Sequence, residues 1–159
     1  MRGRGRLVAG MLAGAALLTG PASGPALAQV PFAYEYAVKV MCGGLAARAD
    51  APFAGGRYYT AVNVHNPGNR VDLRRKVAVA NRGEAGRVSS FEMMRLGPDE
   101  ALEIDCALIT RQAGTDWVQG FLVIQSTREL DVVAVYTVAA RDNVVTTLDM
   151  ERVPPRRMP

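Results

Sequence analysis

The stretch "NVHNPGNR" (residues 63–70) carries the only histidine of the chain, His65, placed where an alternating apolar run meets a Pro-Gly turn. Imidazole titrates near neutrality and binds metals, so His65 with Asp72 would have the capacity of a general base or a metal ligand. A zinc site needs three or four protein ligands or an open position beside three, and no second histidine exists to supply one. A Ser-His-Asp set would have to recruit Ser89, Ser90 or Ser126, none of which lies in a G-x-S-x-G turn. The paired carboxylates Glu103 and Asp105 in "LEID" share one strand parity, the solvent side, where a strand is expected to carry charge. These residue types therefore point to no catalytic residue, no metal site and no cofactor. His65 reads as a turn anchor, bonded with Asn66 and Asn69 to the turn backbone.

Two further residue types remain. Cys42 and Cys106 are the only cysteines. An even count without a C-x-x-C or a His-rich context favours a disulfide over a metal thiolate, a catalytic thiol or two buried free cysteines. Tyr58, Tyr59 and Trp117 stand near strand starts beside Gly-rich loops, and aromatic platforms of this kind hold partner proteins or sugars. Tyr58 and Tyr59 have opposite parity, so one of them must face outward. The possible binding surface is accordingly Tyr58, Tyr59, Trp117 and His65.

The first 28 residues predict a secretory signal peptide. Arg2, Arg4 and Arg6 precede a short apolar stretch, Leu7 to Leu18, and Ala26-Leu27-Ala28 is a small-residue cleavage site. The apolar stretch falls short of the roughly 20 residues that span a bilayer. The expected product is exported, periplasmic or secreted, with no membrane span after cleavage. Its charge changes as well. Removing the three arginines from the 19 basic residues leaves sixteen against 15 acidic ones, and the precursor's +4 becomes +1. A domain so near neutrality lacks the basic footprint of a nucleic-acid binder, and "RRK" (74–76) reads as a solvated strand face.

From residue 33 onward the apolar residues recur with period two, and turn residues interrupt them every 8 to 14 positions. No stretch of helical period stands out. The pattern predicts an all-β chain, a single antiparallel β-sandwich of about seven or eight strands over residues 29–153, followed by a disordered C-terminal tail at 154–159. Residues 43–56 read as a long loop. "RYYTAVNVHN" and "VDLRRKVAVAN" are expected to form a hairpin across "PGNR", with Arg75 at an edge or at a bulge. "RGEAGR" and "TRQAGTD" read as loops. "WVQGFLVIQS" and "LDVVAVYTVAA" are the most apolar strands, expected centrally in a sheet and joined as a second hairpin by "TRE".

At "YTAVNVHNPG", "LGPDEALEIDC" and "GFLVIQSTRELDVVAVYT" the chain resembles exported bacterial β-sandwich proteins of uncharacterised role. The order of its turns also resembles the sandwich of the sensory rhodopsin transducer family, over about residues 57–140. The resemblance implies a compact sandwich that self-associates and brings no catalytic motif. A signal peptide and a disulfide depart from the transducers and make a cytoplasmic photoreceptor partner an unsuitable expectation. The function expected is non-enzymatic: a protein-interaction or self-associating envelope module whose partner is an envelope protein or the chain itself. The alternatives are a small glycan-binding module and a hydrolase or metal protein centred on His65.

Overall fold

A computed structural model describes residues 31–46, 53–140 and 144–159. The expected signal peptide and the middle of the 43–56 loop lie outside the described residues. The rest is antiparallel β-structure with one short helix: β1 Tyr34–Leu45, β2 Gly56–His65, β3 Val71–Ala80, β4 Ala85–Val88, β5 Glu92–Leu96, β6 Ala101–Ile104, α1 Cys106–Ala113, β7 Val118–Ser126, β8 Asp131–Ala139, β9 Val145–Arg152 and β10 Arg156–Arg157.

Two sheets enclose one core. The first places β7 between β1 and β3, with β4 and β5 sharing the far edge of β3 and β10 beside the start of β1. The second places β2 between β6 and β8, with β9 outside β8. β1 belongs to both. Residues 34–42 pair with β7, and Gly43, Gly44 and Leu45 pair with the start of β2. Alternation buries Tyr36, Val38, Val40 and Cys42 of β1 against Leu73 and Val77 of β3, Leu122 and Ile124 of β7, Val62 and Val64 of β2, and Val132 and Ala134 of β8.

The bend in β1 depends on Gly43. Its φ is 111°, a region open to glycine, and a Cβ there would stand 2.2 Å from the carbonyl oxygen of Asp116. On its flanks the two sheets are fastened together. Cys42 is bonded to Cys106 across 64 positions of sequence, with Cα atoms 5.4 Å apart. Buried Thr60 of β2 donates its hydroxyl to the Met41 carbonyl (3.0 Å) and accepts from the Met41 amide (3.1 Å). At the other end of β1, the hydroxyl of fully buried Tyr36 donates to the Leu130 carbonyl (2.9 Å) and accepts from its amide (2.7 Å).

The connections differ from the sequence expectation. β2 and β3 are not a hairpin, because they lie in different sheets, and "PGNR" carries the chain from one to the other. "TRE" likewise crosses between sheets instead of joining a β7–β8 hairpin. Period two is the same in both arrangements, so the pattern could not separate a hairpin from a corner. The expected loop "RGEAGR" contains β4, and Arg156–Arg157 of the expected disordered tail pair with Tyr34 and Glu35.

α1 is also absent from the sequence reading. Asp105 caps it by accepting from the Leu108 amide (2.9 Å), Gly114 ends it with φ 67°, and Cys106, Ile109 and Ala113 form its buried stripe. Arg75 is neither at an edge nor at a bulge. It keeps the inward parity of β3, is 4% exposed, and its Nη2 lies 2.8 Å from Glu92 directly opposite on β5.

Two substitutions test the fastening of β1. Cys42→Ala with Cys106→Ala removes a cross-link that closes a long loop and should lower unfolding free energy in urea by about 4 kcal/mol, or less where the unfolded chain is compact. Gly43→Ala should cost about 3 kcal/mol or more, since both its φ and the Asp116 carbonyl oppose a side chain.

Candidate functional site

His65 ends β2, and its ring is held between two carboxylates. Nε2 lies 2.9 Å from Asp99 Oδ1, on the turn between β5 and β6, and Nδ1 lies 3.5 Å from Asp131 Oδ2, at the start of β8. Asp131 is also 3.1 Å from Arg152 of β9. Asp72, the expected companion of His65, is elsewhere. It faces Arg95 across the β3–β5 pair at 2.6 Å, because β3 lies in the other sheet. Hydrogen bonding to Asp99 is the main reason that the His65 pKa is raised above its usual 6.5; desolvation opposes it, and Asp131 adds to it.

This geometry engages both ring nitrogens with acidic acceptors, which is the bonding of an imidazolium. The ring joins the end of β2, the β5–β6 turn and the start of β8. Among the described residues no group of three or more His, Cys, Asp or Glu side chains is placed to hold a metal ion. Two of the three candidate serines are occupied elsewhere. Ser126 donates to the Arg128 carbonyl, and Ser89 accepts from the Val77 amide and donates to the Ser90 carbonyl.

Beside His65, Asn66 is 1% exposed and fully bonded. Its Nδ2 donates to the carbonyls of Gly97 (2.7 Å) and Asn69 (3.0 Å), and its Oδ1 accepts from the Gly68 amide (3.2 Å) in an Asx turn. Its own amide donates to Glu100 and its carbonyl accepts from Asp99, both at 2.9 Å. The opposing turn puts Asp99 at φ 59°, a conformation that aspartate tolerates better than most residues. Asn66 and His65 thus latch one corner of the sandwich to the other.

The aromatic candidates separate. Tyr58 lies between Phe53 and Trp117, with ring centroids at 6.4 and 5.6 Å in edge-to-face contact, and its hydroxyl donates to the Ala54 carbonyl (2.6 Å). Trp117 lines a cleft of about 490 Å³ with Leu45, Phe53 and Val79. Tyr59 points outward, as parity requires, and is 43% exposed. Its hydroxyl is 3.5 Å from Asp105, and its pKa is raised first by desolvation and then by that carboxylate. The structure does not bring Tyr58, Tyr59, Trp117 and His65 into one site: Tyr58 and Trp117 pack together, while Tyr59 and His65 lie on the outer face of the second sheet.

The sequence pattern does not single out the rest of that outer face. In register with Tyr59 come Thr137 of β8 and Leu148 of β9, and in register with Ala61 come Val135 and Met150. Leu148 is 64% and Met150 68% exposed, and every residue of β9 is exposed. Among the described residues β9 pairs only with β8, so its other edge carries no strand.

No protein-family profile and no curated protein matches the chain. A solved structure, that of Thermotoga maritima 1070, is similar to it with a TM-score of 0.54 over 77% of this chain and 92% of that one, at 9% identity. At that identity the likeness shows the fold alone.

Three measurements check the corner. The His65 ring should titrate by NMR with a midpoint above 6.5, and Asp99→Asn should lower it. A raised folded pKa means that the stabilisation is complete below pH 6.5 and fades as pH rises through the folded midpoint; His65→Gln should flatten that decline while leaving the fold intact. Asn66→Ala leaves the Gly97 and Asn69 carbonyls without their donor and should cost about 3 kcal/mol in urea unfolding.

Proposed function

We propose that the chain is an exported, non-enzymatic module that self-associates through β9 and the outer face of the second sheet. The observation that carries this is the edge strand itself. β9 has all eight residues exposed, has one edge on which no strand lies among the described residues, and sends Leu148 and Met150 to the same outer side as Tyr59, Val133 and Val135. Edge strands of monomeric proteins are normally blunted by charge, proline or brevity, and an edge with exposed apolar side chains is a surface for strand addition.

A second copy suits this edge. In an antiparallel pairing centred on Leu148, Thr147 faces the second copy's Asp149 and Val145 faces its Glu151, so no like charges meet across the seam. The Leu148 and Met150 side chains of both copies then form one continuous apolar strip. Export is supported by the Cys42–Cys106 disulfide, which persists in oxidising compartments, and by the basic and apolar pattern of residues 2–18. No described helix is long and apolar enough to cross a membrane. The tie of both His65 nitrogens to carboxylates favours a structural role for the ring over the hydrolase or metal reading.

Sedimentation velocity over a range of concentrations should show a reversible dimer. Leu148→Asp with Met150→Lys should weaken it at least about tenfold without lowering the unfolding midpoint, because both side chains are exposed. A strict monomer, or a dimer indifferent to those changes, would overturn the proposal.

A further inference from the structure

The outer face of the first sheet has a different chemistry. Five cations point from it: Lys39 on β1, Arg74 and Lys76 on β3, Arg95 on β5 and Arg156 on β10. Its two carboxylates are already matched, Asp72 with Arg95 and Glu35 with Arg156, each at 2.6 Å. Among the described residues, Lys39, Arg74 and Lys76 have no carboxylate partner. They are held by aromatic rings instead. Arg74 is sandwiched between Phe32 and Phe91, at 4.3 and 4.2 Å from the ring centroids; Lys76 lies 4.7 Å from Phe91, and Lys39 5.2 Å from Phe121. Arg74 also donates to Gln125 (2.8 Å), so its guanidinium is fixed at right depth above the sheet.

Large apolar side chains stand exposed among these cations. Phe121 is paired with Lys39, Met93 with Arg74, and Val88 with Ala78, and they are 43, 62 and 54% exposed. A soluble polyanion would satisfy the cations and leave these three in water. A single-stranded nucleic acid would need open ring faces on which to stack, and Phe32 and Phe91 are closed over Arg74. An anionic lipid surface takes both kinds of group in one plane, with the cations at the headgroups and Phe121, Met93 and Val88 at the acyl boundary.

We infer that the outer face of the first sheet docks peripherally on an anionic lipid bilayer through Lys39, Arg74 and Lys76, with Phe121, Met93 and Val88 entering the interface. This face is separate from the β9 edge, so docking and self-association are compatible.

The test attaches an environment-sensitive fluorophore to the full chain at Met93→Cys and, in a second preparation, at Leu148→Cys, and mixes each with phosphatidylglycerol-rich or pure phosphatidylcholine vesicles. A blue shift is expected at position 93 with the anionic vesicles alone. It should be suppressed by high salt, and Lys39→Glu with Lys76→Glu should lower the vesicle partition coefficient about tenfold or more. Position 148 should show no shift, which separates docking through this face from adsorption by any other segment. Equal shifts at 93 and 148, no shift at 93, a shift indifferent to the charge reversals, or a response to soluble dextran sulfate in place of vesicles would each overturn the inference.

Discussion

Strand β1 serves two sheets, and the fold is organised around the bend at Cys42–Gly43 where it passes from one to the other. A strand that leaves its first ladder must re-pair its backbone at once, because buried peptide groups without partners are costly. Gly43 permits the bend, the pairing of Gly43–Leu45 with Gly56–Tyr58 restores the ladder, and Thr60 bonds both backbone groups of Met41 beside it. The disulfide then ties the bend to the start of α1, and Tyr36 ties the opposite end of the strand to Leu130. The two sheets are thereby fixed at both ends of one shared strand, over a core built mainly from alternate residues of β1, β2, β3, β7 and β8.

The crossing connections follow from this closure. Once β2 and β3 belong to different sheets, the "HNPGNR" corner must span the edge of the sandwich, and its polar groups must be satisfied without a ladder. Buried Asn66 does so with its side chain and backbone together, by binding the facing turn at Gly97, Asp99 and Glu100. His65 adds a charged tether from the same corner to Asp99 and Asp131. The lone histidine belongs to the architecture of the corner, and its raised pKa is a consequence of two carboxylates brought from distant parts of the chain.

Much of this was legible in the sequence where a residue's fate depends on parity alone. Alternation indicates the all-β class and that one of Tyr58 and Tyr59 faces outward, and the even cysteine count indicates the disulfide. Parity does not specify which strand lies alongside, so the sequence pattern cannot tell the two corners from hairpins or place Asp72 in the other sheet from His65. The helix is not visible in the sequence because its eight residues show barely two turns of period, and its Asp105 cap and Gly114 stop fit a strand and a loop equally well. Arg75 looked like a defect in β3 because its partner, Glu92, is visible only when β5 is placed opposite. The exposed Leu148 and Met150 were missed for a related reason: an alternating strand looks the same whether or not another layer covers it.

With the inner faces consumed by one core, the outer faces are what the molecule has left to work with, and they are unlike. Among the described residues, one presents cations without carboxylate partners beside apolar side chains, and the other runs without a covering strand to the edge at β9. Self-association through that edge makes a claim about individual backbone amides, which hydrogen exchange can read along Val145–Arg152 at rising protein concentration. Exchange in β9 should slow as concentration increases while the opposite edge at Ala85–Val88 is unchanged. Exchange in β9 that is independent of concentration, in samples that demonstrably associate, would contradict it.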